Sequence, residues 1–153
     1  MARQHGYVIR RKYTAPPERV FAVLADAAHW STWARPVIMT SRWAEGTGEV
    51  GSVRVAGMWP VLIRERITEL HPPSRLAYRM VGRNIPVRDY EAAVEFRPAA
   101  DGGTELTWTA SFRPVVPGTG ALMTAVVKST VLFLAWRLGP AAARGQVGAE
   151  RRG

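Results

Sequence analysis

Residues 15–33 read APPERVFAVLADAAHWSTW, and the fold turns on how this stretch is divided. Pro16 and Pro17 fit only the first turn of a helix, where their missing N–H groups have no intrahelical partner to lose. Val20, Phe21 and Leu24 then recur at helical spacing and mark one buried face. Asp26 is placed to stop that helix and to accept N–H bonds at the start of a second short one, AAHWSTW. Two tryptophans and a histidine thus end very little helix: they are either the plug of a core or one wall of a cavity. His29 is expected at the surface or as a cap. Trp30 reads as core packing, while Trp33, beside the turn at Pro36, fits either role.

Outward from this stretch the period changes to two. HGYVIRRKY before it alternates as a first strand. After it come VIMTSRW, VGSVRVAG, PVLIRERITEL, SRLAYRMVG, VRDYEAAVEFR and TELTWTASFR, separated by the turn-forming segments EGTGE, GMWP, HPPS, GRNIP and AADGG. DGG is the strongest hairpin signal among them. Links this short join antiparallel neighbours, hence a meander. A long helix is predicted from about Gly120 to Gly139, bounded by Pro117 and Gly118 before it and Pro140 after it. The order is one strand, two short helices, six strands and one long helix. That is an α+β chain whose seven-stranded curved sheet must bury its apolar face against the last helix. The expected organisation is one domain over residues 1–145 and a frayed tail over 146–153.

The totals agree with a single domain. The chain has 153 residues, 47% of them hydrophobic, enough to bury a core. There is no cysteine, which excludes disulfides, thiolate nucleophiles and cysteine metal sites. No signal peptide is visible in MARQHGYVIRRKY, so a cytoplasmic location is expected. The net charge of +9 comes almost wholly from arginine, since Lys12 and Lys128 are the only lysines. An anionic partner is one explanation; a compositional bias toward Arg, Ala, Gly and Pro is the other. The arginines stand singly with no aromatic-interleaved run, so no specific nucleic-acid partner is expected.

Strand parity assigns faces. Leu76, Tyr78 and Met80 point inward, as do Tyr90, Ala92, Val94 and Phe96, and then Leu106, Trp108, Ala110 and Phe112. In VLIRERI the inward set is Val61, Ile63, Glu65 and Ile67. A carboxylate on an apolar face needs a partner or a proton. Arg88, of inward parity, is the candidate partner for Glu65. Glu65 would sit near the cavity rim and reach water, or pair with Arg88 for stability, or be a polar anchor or proton-transfer group. On the long helix one arc holds Leu122, Ala125, Val126, Ser129, Leu132, Phe133 and Trp136, taken as the inner face. The opposite stripe, Val127, Val131, Leu134 and Leu138, is also apolar and is expected to form a homodimer seam, or a surface for a membrane or partner protein. Lys128, Ser129 and Thr130 at the centre of ALMTAVVKSTVLFLAWRL weaken a transmembrane reading.

Three segments, YTAPPERVFAVLADAAHWSTW, ERITELHPPSRLAYRM and GGTELTWTASFRP, carry a resemblance to a known superfamily. From about Tyr7 to Leu138 the chain resembles the SRPBCC proteins, the START-like, birch-pollen-allergen-like helix-grip proteins, and within them the bacterial polyketide cyclase/dehydrase branch. The resemblance implies a sheet gripping the C-terminal helix, with a cavity between them for lipids, polyketides, aromatic metabolites or sterols. It implies no universal catalytic set.

Nucleophilic catalysis is poorly served: there is no G-x-S-x-G motif, no Cys, and only His5, His29 and His71 as bases. No His and carboxylate spacing suits a metal, and GTGEVGS lacks the helix and Lys of a phosphate loop. No cofactor is expected. The leading expectation is binding of a hydrophobic small molecule. The candidate lining is Trp33, Trp59, Glu65, Tyr78, Met80, Arg88, Tyr90, Trp108 and Phe112 from the first part of the chain, and Leu122, Val126, Ser129 and Phe133 from the helix. A cyclase or dehydratase using Glu65 with pocket Tyr and Arg groups is the second expectation. An interaction module with a filled core is the third.

Overall fold

A computed structural model describes residues 3–150, with side chains described to Arg144. Strand β1 (His5–Tyr13) leads into α1 (Pro17–Ala25), a single 3-10 turn (Ala27–His29) and α2 (Trp30–Trp33). Six strands follow: β2 (Thr40–Glu45), β3 (Val53–Met58), β4 (Val61–His71), β5 (Arg75–Val81), β6 (Val87–Pro98) and β7 (Thr104–Pro114). Helix α3 (Gly120–Glu150) closes the chain. α1 begins as expected, with Pro16 extended at its N-cap and Val20, Phe21 and Leu24 buried. Asp26 ends α1 but its side chain does not cap the next turn. Instead His29 Nδ1 stands 2.7 Å from Asp26 Oδ2, at the surface.

All seven strands form one antiparallel sheet in the order β1-β7-β6-β5-β4-β3-β2, so the meander is closed off by β1 pairing with the last strand. The inward residues assigned by parity in β5 and β7 are the ones the structure turns inward. Three register shifts interrupt the ladders, at Trp43/Glu45, Ile67/Glu69 and Arg88/Glu91. Each bulge bends its strand and adds twist, which curves the sheet around the helix.

The bulge in β6 corrects one expectation. Asp89 takes a positive φ of 53°. The alternation therefore slips between Val87 and Tyr90, both buried, and turns Arg88 to solvent. Arg88 does not meet Glu65.

Helix α3 brings two more corrections. It does not stop at Gly139 but runs through Pro140 to Glu150. Proline inside a helix costs ~3 kcal/mol, and here the flanking side chains Leu138, Ala141 and Ala142 are buried against the core and hold the helical path. Tyr13 also donates its hydroxyl to the Ala135 carbonyl at 2.6 Å, fixing the main chain just before the proline. Part of the tail expected to fray, 146–153, thus lies in the helix, and residues 151–153 lie outside the described residues.

The faces of α3 are the reverse of the expected ones. Val131, Leu134, Ala135 and Leu138 are buried, with Val127 packed against the same core, whereas Leu122, Val126, Leu132 and Trp136 are exposed. A dimer seam through Val127, Val131, Leu134 and Leu138 is therefore excluded, because those side chains point toward the sheet and not to the outer surface. The segment Gly120–Arg144 is long and apolar enough to cross a membrane by length and composition. In this fold it is the core helix.

Candidate functional site

Sheet and helix do not meet everywhere. Between the concave face of the sheet and the N-terminal half of α3 lies a cavity of about 360 Å³. Ala56, Ile63, Tyr78, Met80, Tyr90 and Trp108 form its floor, and Met123, Val126, Val127, Thr130, Val131 and Leu134 its roof. Trp30, Val37 and Ile38 close one side. At the mouth stand Met58, Trp59 and Val61 from the β3–β4 turn, with Trp59 80% exposed. Gly57 makes that tight turn possible: it sits at φ +147°, and a Cβ there would run into the Val61 carbonyl oxygen.

The closed end carries the polar chemistry. Arg54 and Glu65 are direct cross-strand partners on β3 and β4. Arg54 Nε donates to Glu65 Oε1 at 3.0 Å, with Arg54 only 1% exposed and the Glu65 side chain 14%. The guanidinium carbon lies 4.3 Å from the Trp30 ring centroid and 4.4 Å from that of Tyr78, a cation held between two aromatic faces. Such contacts are worth about 0.5–2 kcal/mol each and, with the carboxylate, offset the removal of the charge from water. Arg54 Nη1 has no hydrogen-bond partner among the described residues. Glu65 Oε1 is engaged by Arg54, while Oε2 has no hydrogen-bond partner among the described residues.

Tyrosine hydroxyls complete this end. Trp108 Nε1 donates to the Tyr78 hydroxyl at 3.1 Å, leaving the Tyr78 proton for another acceptor. The Tyr7 and Tyr90 hydroxyls are bonded to each other. Burial pushes the pKa of Tyr78, Tyr90 and Tyr7 well up, and the negative charge of Glu65 pushes each further in the same direction. All three remain neutral hydrogen-bonding groups at physiological pH.

Trp30 answers the puzzle of the aromatic residues at the end of a short helix. Its Nε1 donates to the Leu24 carbonyl at 2.9 Å, satisfying an orphan acceptor at the end of α1. One ring face lies on Arg54, and the side chain also borders the cavity. Trp33 packs edge-on against Trp30 and is buried away from the cavity. Both tryptophans belong to the core, as expected of Trp30, and it is Trp30 and not Trp33 that also contributes to the cavity wall.

Among the other expected lining residues, Trp59, Glu65, Tyr78, Met80, Tyr90, Trp108 and Val126 do face the cavity. Phe112 has inward parity but is fully buried beside Tyr90, beyond the cavity wall. Leu122, Ser129 and Phe133 fall outside the lining because α3 presents its other face. Arg88 falls outside through the β6 bulge. Sequence reasoning missed Arg54, although the signal was present. A turn centred on Trp59 and Pro60 pairs Met58 with Val61, and counting back from there sets Arg54 opposite Glu65.

Comparisons with known proteins agree with this architecture. Similar solved structures include Ara h 8.0201, 17% identical with a TM-score of 0.73 over 92% of this chain and 99% of that one. An uncharacterised protein from Bacillus thuringiensis is 18% identical, with a TM-score of 0.74 over 91% and 99%. A norcoclaurine synthase from Thalictrum flavum, in complex with dopamine and hydroxybenzaldehyde, is 10% identical, with a TM-score of 0.75 over 94% and 88%. At these identities the likeness concerns the fold. No curated protein matches the chain in sequence. Residues 7–135 match the family model described as polyketide cyclase/dehydrase and lipid transport. Sequence match, sheet order and gripped helix together make this chain a member of the polyketide cyclase/dehydrase family, within the SRPBCC superfamily of helix-grip proteins.

Proposed function

We propose that the protein binds one predominantly apolar small molecule, a lipid, polyketide or aromatic metabolite, with a single hydrogen-bonding end directed at Glu65. The observation that carries this is the unfilled volume of about 360 Å³ with almost all of its polar chemistry gathered at one end. Sites for small ligands have this form: mostly apolar walls and a few convergent polar groups that fix orientation. The same volume argues against an interaction module whose core its own side chains fill. Arg54 neutralises Glu65, so the closed end offers an acceptor oxygen without net charge. That favours a neutral hydroxyl or phenol over an ammonium group, whose dehydration nothing here would offset. The norcoclaurine synthase complex supports the reading by precedent, since that protein holds ring-bearing molecules on the same fold. Native mass spectrometry of protein purified from the cells that make it should show a retained small molecule that disappears on denaturation. A bare mass under native conditions would count against the proposal.

The set Glu65, Tyr78 and Tyr90 favours a second reading, a cyclase or dehydratase that moves a proton on the bound ring. Glu65 would accept the proton through its free oxygen, and the un-ionised tyrosines would polarise a carbonyl. In that case Glu65→Gln retains ligand uptake and abolishes its conversion. Conversion at the original rate would leave binding alone.

A further inference from the structure

We propose that the outer face of α3 and the lip of the cavity together dock on an anionic lipid bilayer. Leu122 is 63% exposed and Trp136 56%, and with Val126 and Leu132 they make an apolar stripe on the side of α3 away from the sheet. Val126 also borders the mouth, and across it Trp59 and Met58 extend the same surface. Scattered exposed apolar side chains are ordinary, but a contiguous face of this kind marks an interaction surface. The buried face of α3 is committed to the sheet, so the helix would lie along a bilayer interface and not cross it.

Charge selects the occupant. From Gly120 to Arg144 the only charged residues are Lys128, Arg137 and Arg144, all basic, on a chain of net charge +9. The Arg137 guanidinium carbon lies 5.9 Å from the Trp136 ring centroid, which puts a cation beside the aromatic anchor. The β5–β6 loop adds Arg83 near the mouth, since its neighbour Asn84 donates to the Leu62 carbonyl beside the β3–β4 turn. Pairing this face with a second copy would set these cations together, with no carboxylate between Gly120 and Arg144 to relieve them. Anionic headgroups relieve them directly, and the apolar stripe then rests at the boundary with the acyl chains. Docking does not depend on the cavity being a binding site. If the cavity does bind a ligand, its mouth would then open toward the bilayer.

Flotation with vesicles tests this. The protein should float with vesicles of phosphatidylcholine mixed with phosphatidylserine, bind phosphatidylcholine vesicles at least about tenfold more weakly, and be released by added salt. The double variant Leu122→Glu/Trp136→Glu changes only exposed positions and should weaken binding about tenfold or more. Lys128→Glu should weaken it about fivefold or more, and this arm decides the matter if the double variant proves unstable. Equal binding to both vesicle types, or binding to neither, overturns the proposal. So does a wild-type dimer in light scattering that Leu122→Glu/Trp136→Glu dissociates, which would make the face an interface between copies.

Discussion

The two halves of α3 meet the sheet in different ways. From Ala135 onward the inner face presents Ala135, Leu138, Ala141 and Ala142, all buried, and Tyr13 bonds the helix main chain at 2.6 Å. Before Ala135 it presents Met123, Val127, Thr130 and Val131 to an open volume of about 360 Å³. Small residues let the helix axis approach α1 and β1 closely. Bulkier ones hold it off, while bulges after Ile67 and Arg88 curve the sheet beneath them. A hollow persists at one end because the other end is packed solid and anchors the helix.

The largest effect should come from the polar floor of the hollow half. Glu65→Gln leaves the guanidinium of Arg54 buried without a counter-charge, an expected loss of ~3–5 kcal/mol in urea unfolding. The double change Arg54→Met/Glu65→Leu should recover most of it, since neither charge then remains buried. Unaltered stability in Glu65→Gln would show that the pair does not hold the floor together.

Next comes a direct contrast between the halves. Leu138→Ala, in the solid half, should cost ~2–5 kcal/mol, whereas Val127→Ala, beside space that already exists, should cost about 1 kcal/mol or less. Equal losses would mean that the two halves are packed alike.

A smaller effect appears only in alkali. Burial raises the pKa of all four tyrosines, Tyr7, Tyr13, Tyr78 and Tyr90, above the ordinary 10.0. The unfolded chain therefore ionises first, so the stability these groups contribute is intact below pH 10 and is lost progressively as the pH rises above it. Absorbance titration should show no tyrosinate until the fold itself gives way. Tyrosinate near pH 10 with the near-ultraviolet circular dichroism intact would contradict the burial of these four hydroxyls.

Much of this was legible in the sequence, for physical reasons. Period-two alternation and short turns fix a meander, and APPERVFAVL can hardly be anything but a helix. Glu65 stood out because a carboxylate among inward apolar residues has few explanations. Other features were hidden. The β6 bulge depends on Asp89 adopting a left-handed conformation, which no side-chain pattern announces, so strict alternation assigns Arg88 to the wrong face. Helix α3 is apolar on both sides, and periodicity gives such a helix no phase. The small residues Ala135 and Ala142, which select the packed side, are individually too common to signal it. Arg54 was recoverable from hairpin counting but is masked by a strand otherwise rich in valine.

Uptake of a fluorescent hydrophobe by the wild type and by Val127→Trp tests most directly whether the hollow between sheet and helix is a binding cavity. The wild type should take up one probe per chain, and Val127→Trp, with an indole filling the space, should lose that uptake while melting within a few degrees of the parent. Equal uptake by the two would place the probe elsewhere, with the exposed face of α3 as the obvious alternative, and would contradict a binding cavity between sheet and helix.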